Sequence, residues 1–173
     1  MPAYHSAQNE LATQYKQVGN LAVLPLKTRV RGPAPQPGVS PLLSLLSSGL
    51  MTSVPCTDSN DPDEADIIDE ALTVFRANSL FRNFEIYGSA DRVLVYLILF
   101  ISDCLNRIGT HPQWSTNDAG KQLQSHAVDT FALPGEAGFP INQMYEKAAN
   151  RMDSGSLVLL TSQCCADVVH MGL

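Results

Sequence analysis

The chain is poor in charged residues and carries few basic ones. Asp, Glu, Lys and Arg make up only 16% of its 173 residues, against about 25% in a typical globular protein. The 11 basic residues face 17 acidic ones, which gives a formal net charge of -6. A protein that binds the nucleic-acid backbone needs a basic surface to neutralise phosphates. The composition therefore argues against nucleic acid as a partner.

The sequence also lacks a long uninterrupted apolar stretch. The longest one, residues 93–101, has nine residues, whereas a bilayer-spanning helix needs about 20. No charged segment followed by an apolar one stands at the N-terminus, so we expect no signal peptide. The length suits a single domain. We predict a cytoplasmic chain with reduced thiols that does not insert into a membrane.

The motifs of common catalytic and metal sites are missing as well. The sequence contains no G-x-G-x-x-G, P-loop, G-x-S-x-G or H-E-x-x-H pattern. Its cysteines form no C-x-x-C pair and its histidines lie singly, which predicts no metal and no cofactor. Cys104, beside Asp103, is the one candidate for a catalytic thiol. It lies in the most apolar segment, where burial raises a thiol pKa and makes it unreactive, so we predict that the chain is not an enzyme.

The distribution of charge divides the chain into four segments. Residues 1–35 hold four basic residues against one acidic residue, and residues 36–57 hold no charge. Residues 58–153 carry most of the acidic side chains, and residues 154–173 carry only Asp167. We predict, in this order, an N-terminal arm, an uncharged loop or insert, a helical domain and a C-terminal tail.

The acidic segment begins with the signals of a helix start. Asp61 can cap a helix, Pro62 suits its first position, and Glu64 completes a capping-box spacing. An apolar stripe at helical spacing then follows, formed by Ile67, Ile68, Ala71, Leu72 and Phe75. The pattern predicts a helix over residues 62–80.

The next segment, residues 90–108, is the strongest core candidate. Ser89 precedes it and Gly109 stands where a C-terminal cap is expected. Its β-branched residues also allow a strand, but a length of about 19 residues favours a helix. A helix that is apolar on every side is usually the buried centre of a bundle. We therefore predict an all-α fold, a compact helical domain around this one buried helix, with an extended N-terminal arm.

The remaining patterns are weaker. A helix is predicted from Asn117 to about Val128 with Thr116 as its cap, and a short helix near Pro140 follows an irregular loop. Upstream, residues 19–29 read as an extended segment that contains Pro25. The arm also contains three basic residues, Lys27, Arg29 and Arg31. They can form a patch that meets an acidic partner surface. The alternative is that they belong to an ordinary solvated arm.

Three ordered blocks of the sequence together resemble one known family. They are MPAYHS with GNLAVLPLKTRVRGPAP in the first 35 residues, the block ADIIDEALTVFRANSLFRNFEIYGSADRVLVYLILFISDCLNRI at residues 65–108, and FALPGEAGFPINQMYEKAAN at residues 131–150. They resemble subunit 3 of the actin-related protein 2/3 complex, the small p21 subunit, over about two-thirds of the chain. Residues 36–57 and the sequence from about residue 151 depart from the family pattern.

The resemblance implies a non-catalytic structural subunit of an actin nucleator. The family is all-α and docks mainly on actin-related protein 3, in a complex that starts branched filaments in actin-rich cell projections of the cytoplasm. By this resemblance we expect no cofactor and partners among the other subunits and, through them, the actin filament. The alternative is a helical adaptor of another cytoplasmic complex. Candidate partner-binding residues are Tyr4, Lys27, Arg29, Arg31, Pro33, Phe139 and Tyr145, with core packing as the alternative for the last two.

Overall fold

A computed structural model describes residues 5–27, 32–35, 65–79, 85–129, 131–136, 138–146 and 151–172. Within these residues the chain is mostly helical. Its elements, in chain order, are α1 Asn9–Ala12, β1 Gln17–Val18, β2 Leu21–Ala22, α2 Ile67–Asn78, α3 Ser89–Thr110, α4 Thr116–Asp129, a 3-10 turn at Asn142–Met144, and α5 Arg151–Gly172.

The long helix α3 forms the centre of the molecule, as predicted for residues 90–108. Twelve of its 22 residues are buried, and it contacts α1, α2, α5 and β2. Gly109, predicted as the C-terminal cap, instead lies inside the helix, which ends when the His111 N–H donates to the Ile108 carbonyl. The cap is displaced because residues 109 and 110 still adopt helical geometry.

Helix α3 is long and apolar enough to cross a membrane by length and composition alone. The buried core helix of a globular protein has the same properties. Half of its most apolar window is buried inside this chain, and its aromatic residues pack on side chains from other elements. The packing is that of a core helix.

The helix α2 begins later than the predicted start at Pro62. Ala65 and Asp66 are not helical, and Asp66 is the N-cap. Its carboxylate accepts hydrogen bonds from the backbone of Ile68 and Asp69, while the Asp69 side chain accepts from the Asp66 N–H. This reciprocal capping box satisfies donors that a helix end leaves free. The predicted cap Asp61 lies outside the described residues.

The helix α4 was predicted with Thr116 as its cap, and this assignment is wrong by one residue. Thr116 is the first helical residue, and the Ser115 hydroxyl oxygen accepts from the Asp118 N–H at 3.2 Å. The Ser115 hydroxyl in turn donates to the Asp118 carboxylate at 2.7 Å. Ser115 is therefore the N-cap, because its hydroxyl oxygen accepts from the third N–H of the helix, as N-cap side chains usually do.

The described part of the N-terminal arm is folded into the core, which corrects the prediction of an extended arm. After α1, the strands β1 and β2 pair antiparallel through a tight turn in which Gly19 has a φ of +61°, a conformation that glycine adopts without strain. This small sheet also makes the predicted all-α class incomplete. The buried apolar residues of the arm are Ala12, Val18, Leu21, Ala22, Val23, Leu24 and Leu26.

The predicted C-terminal tail forms most of α5 and completes the core. It contacts α2, α3, α4 and β1, and Asp167, its only charge, is buried. The sequence of this helix has no amphipathic period from which it could be predicted, because its second half is buried on nearly all sides. Its buried apolar residues are Leu157, Leu160, Cys164, Cys165, Ala166 and Val168. The predicted loop or insert at residues 36–57 lies outside the described residues, and the division into four segments stays a prediction.

Candidate interaction surface

Four of the seven predicted partner-binding residues lie in the part of the chain that the structure describes. Lys27 and Pro33 are exposed, whereas Phe139 and Tyr145 are buried. Tyr4, Arg29 and Arg31 lie outside the described residues. The described candidates thus form two groups, an exposed pair on the arm and a buried pair of aromatic residues.

Lys27 is held at the N-terminus of α2. Its backbone N–H donates to Asp66 Oδ2 at 3.1 Å, and its Nζ lies 3.8 Å from Asp69 Oδ2. The Asp66 carboxylate that caps the helix therefore also fixes the backbone of Lys27. An exposed ion pair at this distance contributes little to stability, so the ammonium group can contact a second carboxylate.

Pro33 lies on a short segment, Gly32–Pro35, that runs beside α5. The Leu26 N–H donates to the Pro35 carbonyl at 3.0 Å, and the Ala34 N–H donates to Gln163 Oε1 at 3.2 Å. The first of these bonds joins the two described parts of the loop of residues 26–35, namely residues 26–27 with Lys27 and residues 32–35 with Pro33. The sequence analysis assigned both residues to the arm but had no means to see that the loop is closed.

Phe139 and Tyr145 pack in the core, which was the alternative interpretation of these residues. The Phe139 ring stacks on Tyr96 with centroids 5.9 Å apart and meets the Tyr145 ring edge-on at 5.1 Å. The Tyr145 hydroxyl donates to the Arg92 carbonyl at 2.8 Å, and burial raises the pKa of Tyr145 well above its ordinary value. Both side chains therefore contribute to the core of this chain, where packing removes their large apolar areas from water.

A buried carboxylate, Asp91, anchors residues 5–9 to the start of α3. Asp91 Oδ1 accepts from the Ser6 N–H at 2.7 Å and from Asn9 Nδ2 at 2.8 Å. Asp91 Oδ2 accepts from the Tyr87 N–H at 2.9 Å and lies 3.1 Å from His5 Nδ1. Burial alone raises the pKa of Asp91, but these hydrogen bonds together outweigh it and hold the pKa below its ordinary value. The signal available for this role was an acidic residue two positions before the uninterrupted apolar run of residues 93–101.

A second polar cluster lies at the other end of α3. Asp103 Oδ2 lies 3.1 Å from Arg107 Nε and 2.6 Å from Nε2 of the buried His126 on α4. Burial lowers the pKa of His126, and the Arg107 charge lowers it further, although Asp103 acts in the opposite direction. The Ser102 hydroxyl beside it donates to the Ile98 carbonyl at 2.8 Å.

This cluster forms one wall of an open groove of about 410 Å³. The groove combines polar side chains of α3 with the rings of the loop after α4. Its lining includes Leu99, Asn106, Arg107, Phe131, Phe139 and Pro140. The geometry fits a structural ion pair at the edge of an aromatic core better than an activated nucleophile, because the neighbouring serine hydroxyl is committed to the backbone.

The described cysteines are buried and free. Burial raises the pKa of Cys104 to about 12 and that of Cys164 to about 12, and it raises the pKa of Cys165 well above its usual value. A thiol with such a pKa is protonated at neutral pH and is a poor nucleophile. Among the described residues, no group of three or more His, Cys, Asp or Glu side chains is arranged to hold a metal ion.

Comparison with known proteins agrees with the resemblance in the sequence. The family described as the ARP2/3 complex ARPC3 (21 kDa) subunit, P21-Arc, matches residues 1–170. This range includes residues 36–57 and most of α5.

Two similar proteins from different organisms bear the same name. Actin-related protein 2/3 complex subunit 3 of Schizosaccharomyces pombe is 43% identical over 154 residues, which cover 89% of this chain and 73% of that protein. The protein of the same name from Saccharomyces cerevisiae is 44% identical over 84% of this chain and 67% of its own length. The chain therefore belongs to the family of the ARPC3 (21 kDa) subunit of the ARP2/3 complex.

Proposed function

We propose that this chain is a non-catalytic structural subunit of the actin-related protein 2/3 complex, where it supports the nucleation of branched actin filaments. Family membership over residues 1–170 is the observation that carries this proposal. The packed helical body supports it, because a subunit that positions its neighbours must itself be rigid. The raised pKa values of the buried thiols support the non-catalytic part.

The docking partner within the complex is actin-related protein 3, contacted through the arm. Lys27 and Pro33 are exposed on the closed loop of residues 26–35, and the sequence of this loop contains two further basic residues, Arg29 and Arg31. A basic loop on a chain of net charge -6 favours an acidic partner surface. The complex acts in the cytoplasm at actin-rich cell projections.

Purification of the native assembly tests the first part of the proposal. A tagged copy of the chain should co-purify in stoichiometric amounts with the other subunits of the complex, and omission of the chain should reduce filament branching in a pyrene-actin assay combined with microscopy. Recovery of a different stoichiometric set of proteins would instead identify a helical adaptor of another complex.

Charge reversal in the loop tests the second part. The triple variant Lys27→Glu, Arg29→Glu, Arg31→Glu should bind purified actin-related protein 3 at least about tenfold more weakly, since steering charges are turned into repelling ones. Lys121→Glu is a control for a charge reversal outside the loop sequence, because Lys121 is exposed on α4. Equal binding by the triple variant and the control would exclude the loop as the docking surface.

A further inference from the structure

The two ends of the loop of residues 26–35 are fastened to different helices. At the first end, Asp66 and Asp69 of the α2 capping box hold Lys27 through its backbone N–H and its ammonium group. At the other end, the buried Gln163 of α5 accepts a hydrogen bond from the Ala34 N–H. The placement of the exposed Pro33 therefore depends on a buried side chain, Gln163.

The fit between Gln163 and the loop is close. A Cβ atom placed on Gly32 would lie 1.9 Å from Gln163 Oε1 and 2.4 Å from its Cδ, distances that no real contact allows. Gln163 is 2% exposed, and a buried polar side chain is retained at a cost unless its hydrogen bonds are satisfied. A Cβ atom at position 32 would therefore displace the buried Gln163 side chain or the segment Gly32–Pro35.

We propose that Gln163 is a positioning residue for a docking surface formed by Lys27 and Pro33, and that this surface binds an acidic protein surface. Gln163 fixes the course of Gly32–Pro35, and with it the placement of Pro33 relative to the ammonium group of Lys27. The partner is acidic because Lys27 is only loosely paired, at 3.8 Å, with Asp69, and because residues 1–35 are the one segment with an excess of basic residues. The inference rests on the proposed function and deepens it, since it makes docking depend on the C-terminal helix.

The substitution Gln163→Leu tests this dependence with little change of side-chain volume. It removes the acceptor of the Ala34 N–H, and the loss of one hydrogen bond predicts binding about 3- to 10-fold weaker to the remaining subunits of the ARP2/3 complex. Gln124→Leu is the matched control, because Gln124 is exposed on α4. It should leave the affinity unchanged.

The salt dependence of the affinity separates positioning from loss of folded protein. If Gly32–Pro35 moves, the bond from the Leu26 N–H to the Pro35 carbonyl weakens and the neighbouring Lys27 forms its ionic contact less often. The affinity of Gln163→Leu should then fall less steeply with salt than that of the wild type. A variant that is only partly folded would bind less at every salt concentration by the same factor. The slope is therefore a readout that a purely structural role would not change.

A second substitution, Gly32→Ala, disturbs the same contact from the side of the loop and leaves the core helix α5 unchanged. Gly32→Ala should weaken docking, because its Cβ displaces the segment from Gln163. In a Gln163→Ala background, where Oε1 and Cδ are gone, the same change should have a much smaller effect, which is the signature of coupled residues in a double-mutant cycle.

The outcomes separate this inference from the proposed function. If the wild-type chain does not bind the remaining subunits, the proposed function and the inference both fail. If it binds, and Gln163→Leu and Gly32→Ala match it in affinity and salt slope, only the positioning role is wrong. Binding that is weakened with a reduced salt slope, together with coupling in the cycle, supports the role of Gln163.

Discussion

Replacing Asp91 with Asn probes how the N-terminus is held to the central helix. The substitution keeps the shape of the side chain, but it removes the charge and replaces one acceptor oxygen with an NH2 group. Each carboxylate oxygen of Asp91 faces two nitrogens: Ser6 N and Asn9 Nδ2 on one side, Tyr87 N and His5 Nδ1 on the other. Either orientation of the amide therefore places its NH2 group against at least one N–H donor, because the Ser6 N–H and the Tyr87 N–H face different oxygens.

The expected loss of stability is large for a change of one atom. Hydrogen bonds to a charged group contribute about 1.5–3 kcal/mol each, and at least one of them is lost in either orientation. The Asp91 side chain is only 3% exposed, so water cannot replace them. We expect the free energy of unfolding to fall by at least about 1.5–3 kcal/mol, which corresponds to roughly 3–12 °C in Tm for a chain of this length.

Denaturant titration followed by circular dichroism measures this loss. Asp118→Asn is the matched control, because Asp118 is an exposed carboxylate in the first turn of α4, and its substitution should change stability by no more than about 0.5 kcal/mol. Hydrogen exchange of residues 5–9 should become faster in Asp91→Asn and stay unchanged in the control.

The pH dependence gives an independent check with a defined sign. The folded-state pKa of Asp91 lies below its ordinary value, so the unfolded chain takes up the proton first as the pH falls. The contribution of Asp91 is fully present above about pH 5 and is lost below the ordinary carboxyl pKa of about 3.9. This acid-induced loss should be smaller in Asp91→Asn. An Asp91→Asn protein as stable as the wild type, with unchanged exchange at residues 5–9, would refute the reasoning.

Three further predictions concern the histidine cluster, the glycines and the thiols. Because burial lowers the pKa of His126, the wild type should lose free energy of unfolding relative to His126→Gln as the pH falls below about 6.5; a relative gain in stability would contradict this. Gly88→Ala should destabilise the chain by about 1–3 kcal/mol, since its Cβ would lie 2.2 Å from Asn9 Oδ1. Gly120→Ala, with open space around its Cβ, should instead stabilise α4 by up to about 1 kcal/mol in thermal melts, and equal effects of the two would exclude the steric argument. Iodoacetamide at neutral pH should label the described cysteines, Cys104, Cys164 and Cys165, only after denaturation. Labelling of the folded protein, detected by mass spectrometry, would show that these thiols are not buried.

Helices with a clear pattern were predictable, and their ends were less so. The run at residues 93–101 needs burial on every side, and this requirement leads directly to α3 at the centre. The cap of α2 was misplaced, because Asp61 and Asp66 both stand before the apolar stripe and both have suitable spacing. Only the folded backbone shows which of two equivalent carboxylates lies within reach of the N–H groups.

The candidate surface was predictable in composition and not in geometry. An excess of basic residues in the arm pointed to Lys27, whereas the exposure of Pro33 and the burial of Phe139 and Tyr145 depend on contacts with distant parts of the chain. The roles of Asp91 and Gln163 were missed for the same reason. Their partners lie 85 and 129 residues away along the chain, and a local pattern carries no information on such pairs.

From the sequence by itself came the family, the mostly helical class and the buried central helix, because each depends on local order of residues or on hydrophobicity summed over a segment. The tertiary structure decided that the arm folds into the core, that α5 completes it, and that one loop is held between two helices. These features depend on hydrogen bonds and packing between segments far apart in the chain. Such contacts are specified jointly by many residues, so they become visible only when the chain is folded.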